Sequence, residues 1–568
     1  MPDVDEPVVV AYFSMEVGLS ADMPTYAGGL GVLAGDMIKT FADLKVPSVA
    51  VTLLNEKGYF RQKIDEKGNQ SEEDEVWDRE KYMKLLPNKV VVTLENRPVV
   101  VRAWQHDVVS PSGGIVPVYF LDTNVPANTI DDRKLTSHLY GGDQRYRIMQ
   151  EAIIGIGGLK MLKDIGYEDI ENYHMNEGHA AFLIMELLNR TKNEEEKDFN
   201  KKYDFEKVKD KCIFTTHTPL KAGQDEFDIG LVKSVLGEDF FPFEKMDAFS
   251  DSGKFSMTHL ALNHSHYING VAKRHKDVSR KLFPGYQIHS VTNGVHSVTW
   301  VSEAFKRLYD ENIPNWSHDP FSLRYVFGIE DDEIWNTHME AKKLLIDFVN
   351  ENTKTKMDYD TITFGFARRM TGYKRPDLIF HNIEHLNKIA DEIGKIQLIF
   401  AGKAHPNDEA GKMMIKHIFN QREILSKNIK IVFLENYNID ISKLLVAGVD
   451  VWLNTPMRPF EASGTSGMKA SHNGVINFSV LDGWWLEGYI ENVTGWSIGP
   501  RSSDPEHECD SHFDVADLYS KLEKEVLPMY YYDRQKWIEM MKHTIAINAS
   551  FFNTHRMVQQ YVLDAYIR

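Results

Sequence analysis

Apolar runs separated by amphipathic stretches recur along this chain, and their rhythm predicts an α/β fold. Val8–Ser14 is the first apolar run and predicts a buried strand. A glycine-rich loop and a helical pattern follow, and Val46–Leu54 predicts the next strand. The second half has the most regular alternation of strand and helix, which predicts a parallel, doubly wound sheet. Its predicted strands are Thr361–Ala367, Ile396–Ala401, Ile429–Leu434, Val449–Asn454 and Gly474–Val480.

The hydrophobic pattern predicts further elements between and after these regions. Residues 56–80 are polar and charged, which predicts a loop or a short hairpin. Three β-rich runs predict an antiparallel excursion from the α/β domain, at Lys89–Glu95, Pro98–Trp104 and Ile115–Thr123. Helices are predicted over Gln144–Leu162, after Asn176–His179, around Ile334–Phe348, over Arg534–Ile547, and from about residue 553 to Arg568.

The length of the chain predicts two large domains. A chain of 568 residues is too long for a single hydrophobic core. Val291–His296 combines the end of a strand with an Asn-Gly turn, so it is the expected hinge. We therefore place an N-terminal domain at residues 1–292 and a C-terminal domain at residues 293–549. The last helix, at about residues 550–568, has a regular apolar face, and we expect it to pack back on the N-terminal domain.

Charge and cysteine content narrow the classes of function. The 65 Lys and Arg against 83 Asp and Glu give a formal net charge of −18, which argues against a binder of nucleic acids or anionic membranes. Only Cys212 and Cys509 are present, so no disulfide framework is expected. Met1–Pro7 is acidic and resembles no leader, and no apolar run approaches the ~20 residues that span a bilayer. We expect a soluble, cytoplasmic protein with no nucleic-acid or membrane partner.

The stretch Glu461–Lys469 is the strongest candidate for chemistry. Its glycines and small residues permit a sharp turn and a close approach of the backbone to a ligand. A helix starting near Thr465 would point its first N–H groups at a phosphate, and Lys469 is a candidate Schiff-base amine one turn further on. The alternative is an ordinary glycine-rich turn followed by a surface lysine. A P-loop is excluded because Ala470 follows the lysine.

Two other groups of residues bear on an anion site. The glycines of Tyr26–Asp36 open a predicted helix, where they either bind an anion or only allow close packing of helix on strand. Basic residues follow the predicted strands of the second half, and in an acidic protein their clustering favours an anion site. They are Arg368, Arg369, Lys374, Arg375 and Lys403. His217 also follows a predicted strand, where ligands bind in open α/β sheets.

The histidines do not predict a metal site. His174 with His179, and His264 with His266, lack the His-Glu-x-x-His spacing of zinc proteases. No cysteine pair assists them. We therefore expect core or loop histidines and no metal.

Taken together, eight segments resemble the α-glucan phosphorylases, the family of glycogen, starch and maltodextrin phosphorylases. The segments are Tyr26–Gly35, Asn176–His179, Thr215–Thr218, His266–Lys273, Thr292–Gly294, Arg368–Arg375, Phe433–Tyr437 and Glu461–Lys469. The resemblance runs from about Val8 to the last helix. It implies the GT-B architecture, an α/β fold of two facing Rossmann-like domains with the active site in the cleft between them.

The resemblance also implies a cofactor and a set of site residues. Pyridoxal 5′-phosphate would be carried by Lys469 as a Schiff base, and the cofactor's phosphate, not its ring, would do the chemistry. The implied catalytic residues are Lys469, Arg369, Lys374 and His217, of which Arg369 and Lys374 would hold the substrate phosphate. The implied cofactor-binding residues are Lys469, Thr465, Ser466, Gly467, Arg368, Trp300 and Tyr437. The implied substrate-binding residues are Gly29, Leu30, His217, Asn293, Glu461, Ser463 and Gly464.

The implied reaction is retaining phosphorolysis of α-1,4-glucan or maltodextrin by inorganic phosphate to α-D-glucose 1-phosphate. The substrate phosphate would protonate the glycosidic oxygen and capture an oxocarbenium-like sugar, with the cofactor phosphate as its acid and base. Because the chain begins almost at its first strand, we expect the short form of the family, without the extension that carries nucleotide and phosphorylation control. Leu481–Trp485 keeps the family's Asp-Gly but departs from the long members after it. We also expect a homo-oligomer.

Two alternatives remain, a related enzyme and a protein of another class. A nucleotide-sugar-dependent α-glucan synthase shares GT-B and a similar glycine loop, but it does not need Lys469 in its Gly-Thr-Ser-Gly-Met-Lys setting. A non-catalytic glucan-binding protein on this scaffold requires the loss of at least one active-site group. All the groups that the resemblance assigns are present in this sequence.

Overall fold

The computed structural model describes residues 8–220, 223–237, 240–242, 245–500 and 511–567. Met1–Pro7, Cys509 and Arg568 lie outside the described residues, whereas Cys212 is buried. Within the described ranges, no helix has both the length and the apolar character needed to cross a lipid bilayer.

Strands and helices are numbered here along the chain. The strands are β1 Val8–Ser14, β2 Ser48–Leu53, β3 Arg61–Ile64, β4 Gln70–Glu73, β5 Lys84–Leu94, β6 Arg97–Val109, β7 Ile115–Asp122, β8 Ile170–Asn176, β9 Cys212–Thr215, β10 Glu226–Phe227, β11 Phe255–Ser256, β12 Tyr267–Gly270, β13 His289–Ser290, β14 Ile362–Ala367, β15 Ile396–Ala401, β16 Ile429–Leu434, β17 Val451–Asn454, β18 Ile476–Val480 and β19 Gly495–Ile498. The α-helices are α1 Gly29–Asp43, α2 Gln144–Ala152, α3 Gly158–Ile165, α4 Phe182–Arg190, α5 Phe199–Lys202, α6 Phe205–Lys211, α7 Ile229–Leu236, α8 Met257–Asn263, α9 Lys273–Leu282, α10 Ser297–Trp300, α11 Glu303–Asn312, α12 Asp331–Asn352, α13 Ile383–Glu392, α14 Glu409–Asn420, α15 Ile439–Gly448, α16 Ser466–Ser471, α17 Trp485–Gly488, α18 Ser511–Lys521, α19 Leu527–Tyr532, α20 Arg534–His543 and α21 Thr554–Tyr561.

The first half of the chain is built on a sheet with the spatial order β13-β12-β9-β8-β1-β2-β7-β6-β5. From β13 to β7 each neighbouring pair is parallel, and β6 and β5 extend the sheet in antiparallel fashion. Counted along the chain from β1, the parallel strands lie in the order 3-2-1-4-5-6-7. This is the order of doubly wound sheets, and its switch point lies between β1 and β8.

The second half is built on a fully parallel sheet with the spatial order β16-β15-β14-β17-β18-β19. Counted from β14, this order is 3-2-1-4-5-6, so the switch point lies between β14 and β17. The strands β14 and β15 are buried along their whole length, as expected where helices cover both faces of a parallel sheet. Both halves are therefore doubly wound α/β units.

Most of the predicted elements are confirmed. All five predicted strands of the second half form, and residues 56–80 contain the β3–β4 hairpin. The predicted helix Gln144–Leu162 forms as α2 and α3, joined by a π-helical turn at Ile153–Gly157. The expectation for Ile115–Thr123 is wrong in part, because β7 pairs in parallel with β2 as well as in antiparallel with β6. All residues of β7 after the first are buried, which suits a strand inside the parallel sheet.

The chain crosses between the two halves at two adjacent points. Val295 and Asn553 form a parallel β-bridge. The Val295 N–H donates to the Phe552 carbonyl at 3.2 Å, and the Thr554 N–H donates to the Val295 carbonyl at 3.0 Å. A Cβ on Gly294 would stand 2.2 Å from the Asn553 carbonyl carbon, so this close approach requires glycine.

After the second crossing, α21 packs against α1 of the first half. Met557 and Tyr561 are buried in the apolar core that α1 and the first sheet share. The Tyr561 hydroxyl also lies 3.1 Å from Thr215 Oγ1 and accepts a hydrogen bond from Asn269 Nδ2 at 2.9 Å. The end of the chain therefore completes the core of the first half.

Candidate active site

The carboxyl ends of the strands in the two sheets carry the charged residues of the predicted site, and the two sheets approach each other there. In doubly wound sheets, ligands bind beyond the carboxyl ends of the strands at the switch point. Here Glu16 follows β1 and Glu177 follows β8, while Arg368 and Arg369 follow β14. The two edges meet, because Arg369 Nη2 lies 3.6 Å from the position that a Cβ on Gly28 would occupy. The region between these two edges, called the cleft below, is the candidate active site.

The glycines at the start of α1 serve two purposes. A Cβ on Gly35 would stand 2.0 Å from the Gly18 carbonyl oxygen, and one on Gly31 would stand 2.7 Å from Glu16 Oε2. These two glycines allow the close packing of helix on loop. Gly29 has open space around it. Glu16 Oε2 accepts the N–H groups of Ala27 and Gly28 just before the helix, at 2.6 and 3.1 Å, and no side chain among the described residues caps the N–H groups of the first turn itself. Uncapped N–H groups at a helix N-terminus favour an anion.

The Glu461–Lys469 loop leads into α16 as the sequence predicts, with Thr465 at the N-cap. The Ser466 Oγ accepts a hydrogen bond from Trp452 Nε1 at 3.1 Å. A Cβ on Gly467 would stand 2.3 Å from Asn477 Oδ1. The loop is therefore held tightly against β17 and β18, which fixes the position of Lys469 in the first turn of the helix.

The Lys469 amine is buried without a polar partner. Its side chain is 6% exposed, and its Nζ lies 3.8 Å from the centre of the Trp300 ring. Among the described residues it has no hydrogen bond or ion pair. Burial lowers the pKa of Lys469 to about 8, only partly opposed by the charge of Asp36. A lysine in this environment is a reactive amine and not a solvated surface charge.

Glu461 lies between two of the predicted basic residues. Its carboxylate accepts a hydrogen bond from Arg368 Nη2 at 2.8 Å and one from Lys374 Nζ at 2.6 Å. Burial would raise the pKa of Glu461, but the charges of Arg368 and Lys374 outweigh burial and hold it at about 2. The group is therefore a fixed, ionised cluster with one positive charge in excess.

Arg369 differs from the other basic residues near the cleft. It makes no hydrogen bond or ion pair within the described part of the chain, and it is exposed to the cleft beside Gly28. Arg375 and Lys403 do not contribute to the anion site that the sequence predicts. Arg375 is bound by Asp514 at 2.7 Å and by backbone carbonyls, and Lys403 donates to the Phe60 carbonyl at 2.6 Å.

Two predicted substrate-binding side chains have buried polar atoms without partners. Asn293 Oδ1 and Ser463 Oγ are both buried and make no hydrogen bond to any residue that the structure describes. Buried polar atoms are normally paired, so these two atoms point to a hydrogen-bonding ligand. Gly464 follows with a φ of +78°, in the left-handed region that favours glycine. Gly29 and Leu30 lie at the start of α1, on the other wall of the cleft.

His217 is held by the end of β8. Its Nε2 lies 2.6 Å from Asn176 Oδ1, and its backbone N–H donates to Glu177 Oε2 at 2.7 Å. Burial lowers the pKa of His217 to about 3, so the imidazole is neutral at neutral pH. Glu177 has a φ of +75°, and burial raises its pKa to about 7 against the hydrogen bonds it accepts.

Sequence reasoning missed two carboxylates that organise the site. Asp36 accepts a hydrogen bond from Trp300 Nε1 at 2.7 Å and so fixes the ring under Lys469. The signal was a charged residue in the middle of the apolar face of α1. Asp482 accepts the Glu461 N–H at 2.9 Å, and burial raises its pKa to about 7. The sequence resemblance marks Asp482 as part of the family's Asp-Gly, but it assigned no role to this carboxylate.

Tyr437, a predicted cofactor-binding residue, lies after β16. Its hydroxyl donates to Ser442 Oγ at 2.8 Å, and burial raises its pKa to about 12. Within the described residues, it has neither a hydrogen bond nor a ring contact with Lys469. Trp300 is the aromatic residue that covers the amine.

A family profile and several related proteins match this sequence. The sequence profile of the carbohydrate phosphorylase family matches residues 237–494. The maltodextrin phosphorylase of Thermococcus litoralis is 40% identical over 99% of this chain and 70% of its own length. The glycogen phosphorylase of Aquifex aeolicus is 36% identical, over 98% of this chain and 86% of its own. An uncharacterized protein of Methanocaldococcus jannaschii is 33% identical, over 98% of this chain and 99% of its own length. The chain therefore belongs to the carbohydrate phosphorylase family and is a glycosyltransferase enzyme.

Proposed function

We propose that this enzyme catalyses phosphorolysis of α-1,4-glucan, releasing α-D-glucose 1-phosphate with retention of configuration. The observation that carries the proposal is the convergence of three features in one cleft. Within the described residues, they are a buried lysine whose amine has no polar partner, an arginine without an ion pair beside an uncapped helix N-terminus, and buried polar atoms without partners that suit sugar hydroxyls. The two relatives named as phosphorylases support the same reaction. The two doubly wound halves support a GT-B architecture with domains at residues 1–292 and 293–549.

The residues around Lys469 fit pyridoxal 5′-phosphate. The amine is buried, has no polar partner and has a pKa near 8, so it can hold an aldehyde cofactor covalently. The N–H groups of Ser466 and Gly467 and the hydroxyl of Thr465 would hold the cofactor's phosphate, with Arg368 and Tyr437 nearby. When bound, the cofactor supplies a phosphate that acts as acid and base beside the substrate phosphate. No ordinary surface lysine would meet these conditions.

The substrate phosphate would bind to Arg369 and Lys374. Arg369 has no ion pair to break among the described residues, and it lies beside Gly28, the N-cap of α1. Lys374 is held at the other wall by Glu461. The protein carries a net charge of −18, so an anion enters the cleft only where such local positive groups offset the general repulsion. These donors are fixed before the substrate arrives, which is the condition for efficient charge stabilisation.

The glucosyl unit would bind between the same walls. Asn293, Ser463 and Glu461 would bond its hydroxyls, together with the backbone of Gly464. Neutral His217 would present its backbone carbonyl to the anomeric carbon, stabilising positive charge there. Gly29 and Leu30 would bond the transferred group from the α1 side. The remaining glucan would extend out of the cleft.

The test is an assay without nucleotide. The protein is incubated with maltodextrin and inorganic phosphate, and the product is identified by NMR. We expect phosphate-dependent release of α-D-glucose 1-phosphate, reversed by adding that product and a primer. Free glucose, a β-phosphate, or a strict requirement for a nucleotide sugar would refute the proposal.

The cofactor is tested on the same preparation. We expect one pyridoxal phosphate per chain, fixed by borohydride, and its loss in Lys469→Ala. The control is Lys343→Ala, because Lys343 is exposed on α12. Stoichiometric, tightly held cofactor in Lys469→Ala would show that another residue carries it.

A further inference from the structure

The β3–β4 hairpin of the first half lies against the second half. Gln62 Nε2 donates to the Gly402 carbonyl at 2.9 Å. Gln70 Nε2 donates to the Ala404 carbonyl at 2.9 Å, and the Ala404 N–H returns a bond to Gln70 Oε1 at 3.0 Å. The hairpin is therefore bonded to the loop that follows β15, which we call the 402–404 loop.

Both polar atoms of the Gln62 side chain and its backbone N–H are hydrogen-bonded. The residue is fully buried, and its Nε2 also donates to Gln70 Oε1 at 2.8 Å. Its Oε1 accepts the Asn436 N–H at 2.9 Å, and its own N–H donates to Asn436 Oδ1 at 3.1 Å. A buried amide with all its bonds made holds its partners in one arrangement, since any shift leaves buried groups unpaired.

The 402–404 loop in turn holds the backbone that carries Arg369. The Arg368 N–H donates to the Ala401 carbonyl and the Met370 N–H donates to the Lys403 carbonyl, each at 3.1 Å. A Cβ on Gly402, which has a φ of +139°, would stand 1.8 Å from the Arg368 carbonyl oxygen. The loop and the segment 368–370 therefore move together.

Arg369 depends on this backbone for its position. Its side chain has no hydrogen bond or ion pair of its own in the described chain, yet it stands opposite Gly28 of the other half. Small displacements of a binding group have large effects on rate. We propose that Gln62 and Gln70 are positioning residues, which place Arg369 against the N-terminus of α1 by fixing the 402–404 loop. The inference rests on the proposed function, in which Arg369 binds the substrate phosphate.

The test uses Gln62→Met and Gln70→Met, which keep side-chain length and remove the hydrogen bonds. We expect the KM for phosphate to rise about tenfold or more, while the KM for maltodextrin changes less than about twofold. In an Arg369→Ala background, Gln62→Met should change the KM for phosphate by less than about twofold, because the effect acts through that arginine. Ser71→Ala is the control, since Ser71 is exposed on the same hairpin.

Each outcome of this test is decisive. Equal changes in both KM values, or a full additional loss in the Arg369→Ala background, would show a merely structural role and refute the inference. Gln70→Met is the milder variant, because Gln70 is only half-buried, and it decides the question if Gln62→Met does not fold. Absence of phosphorolysis in the unmodified enzyme would refute the proposed function. Normal activity in that enzyme with unaffected Gln62→Met and Gln70→Met variants would refute only this inference.

Discussion

Lys469 is held in an environment that opposes its charge. The pKa of about 8 lies below the ~10.4 of an unfolded lysine, and burial is the main cause. The folded protein without cofactor therefore binds fewer protons than the unfolded chain between about pH 8 and pH 10.4. Stability of the cofactor-free protein should rise with pH across that window. Below pH 8 the full cost of the buried charge, about 3 kcal/mol, is present.

Replacing Lys469 with Met should therefore stabilise the cofactor-free protein. We expect the free energy of unfolding at pH 7 to increase by about 1–3 kcal/mol, and the gain to vanish as pH approaches 10.4. Urea denaturation at pH 7, 9 and 10.5 measures it, with the exposed Lys343→Met as control. A destabilised Lys469→Met variant, or a gain independent of pH, would contradict the assigned environment.

Glu461, in contrast to Lys469, should stabilise the folded protein in its charged form. Its pKa of about 2 lies below the ~4.3 of an unfolded glutamate, so its stabilisation is present above about pH 4.3 and is lost as pH falls towards 2. Glu461→Gln leaves Arg368 and Lys374 without their anion. We expect a loss of about 3 kcal/mol at pH 7 that disappears near pH 2.

The matched control is Glu66→Gln, because Glu66 pairs with Lys354 on the surface, where both side chains are more than nine-tenths exposed. An exposed pair contributes about 0–1 kcal/mol. Denaturation of both variants at pH 7, 5 and 3 separates the two cases. Equal losses for Glu461→Gln and Glu66→Gln would mean that the buried cluster is no stronger than a surface pair.

Sequence alone identified the residues of this cluster but not their pairing. Arg368 and Lys374 follow a predicted strand, and Glu461 lies in a predicted loop, so each was a candidate. Their contact depends on how β14 and β17 lie side by side, which no local pattern encodes. The same holds for Arg369 and Gly28, which lie in different halves.

At the scale of elements, Gly35 and Gly29 of α1 should respond differently to replacement by alanine. Alanine is normally favoured over glycine inside a helix by about 0.5–1 kcal/mol. In Gly35→Ala the new Cβ would meet the Gly18 carbonyl oxygen at 2.0 Å, so we expect a net loss of about 1–3 kcal/mol. Gly29→Ala meets nothing within 4 Å, so it should keep the thermal midpoint at or above that of the unmodified protein. Comparing the two midpoints by calorimetry tests this, and equal stability would contradict the packing.

The strands of the second half that the sequence predicted are all marked by a predominantly apolar run. Ile396–Ala401 and its neighbours are mostly apolar, because both faces of their sheet are covered. We predicted no element for Gly495–Ile498 or Ser511–Lys521, which form β19 and α18. The strand has only four residues. The helix buries Asp514 between Arg375 and Arg458, so a carboxylate interrupts the apolar stripe that marks a helix.

At the scale of the whole molecule, the last helix stabilises the first half. Met557 is 1% exposed and lies in the core with α1. We expect Met557→Ala to cost about 2–5 kcal/mol, as for other large core residues. Leu563→Ala is the control, because Leu563 is 74% exposed in the turn that follows α21. Denaturant unfolding of both variants measures the difference, and a loss below about 1 kcal/mol for Met557→Ala would contradict this packing.

The paired crossings at Val295 and Asn553 have a consequence for biosynthesis. Synthesis on the ribosome proceeds from the N-terminus, so the first sheet emerges long before α21 is translated. Until then the apolar surface that Met557 and Tyr561 cover remains open to water and to other nascent chains. The first half is therefore synthesised first, but its hydrophobic core is completed only after the second half has been synthesised. A ribosome stalled within α20 would therefore hold a first sheet that lacks its last helix.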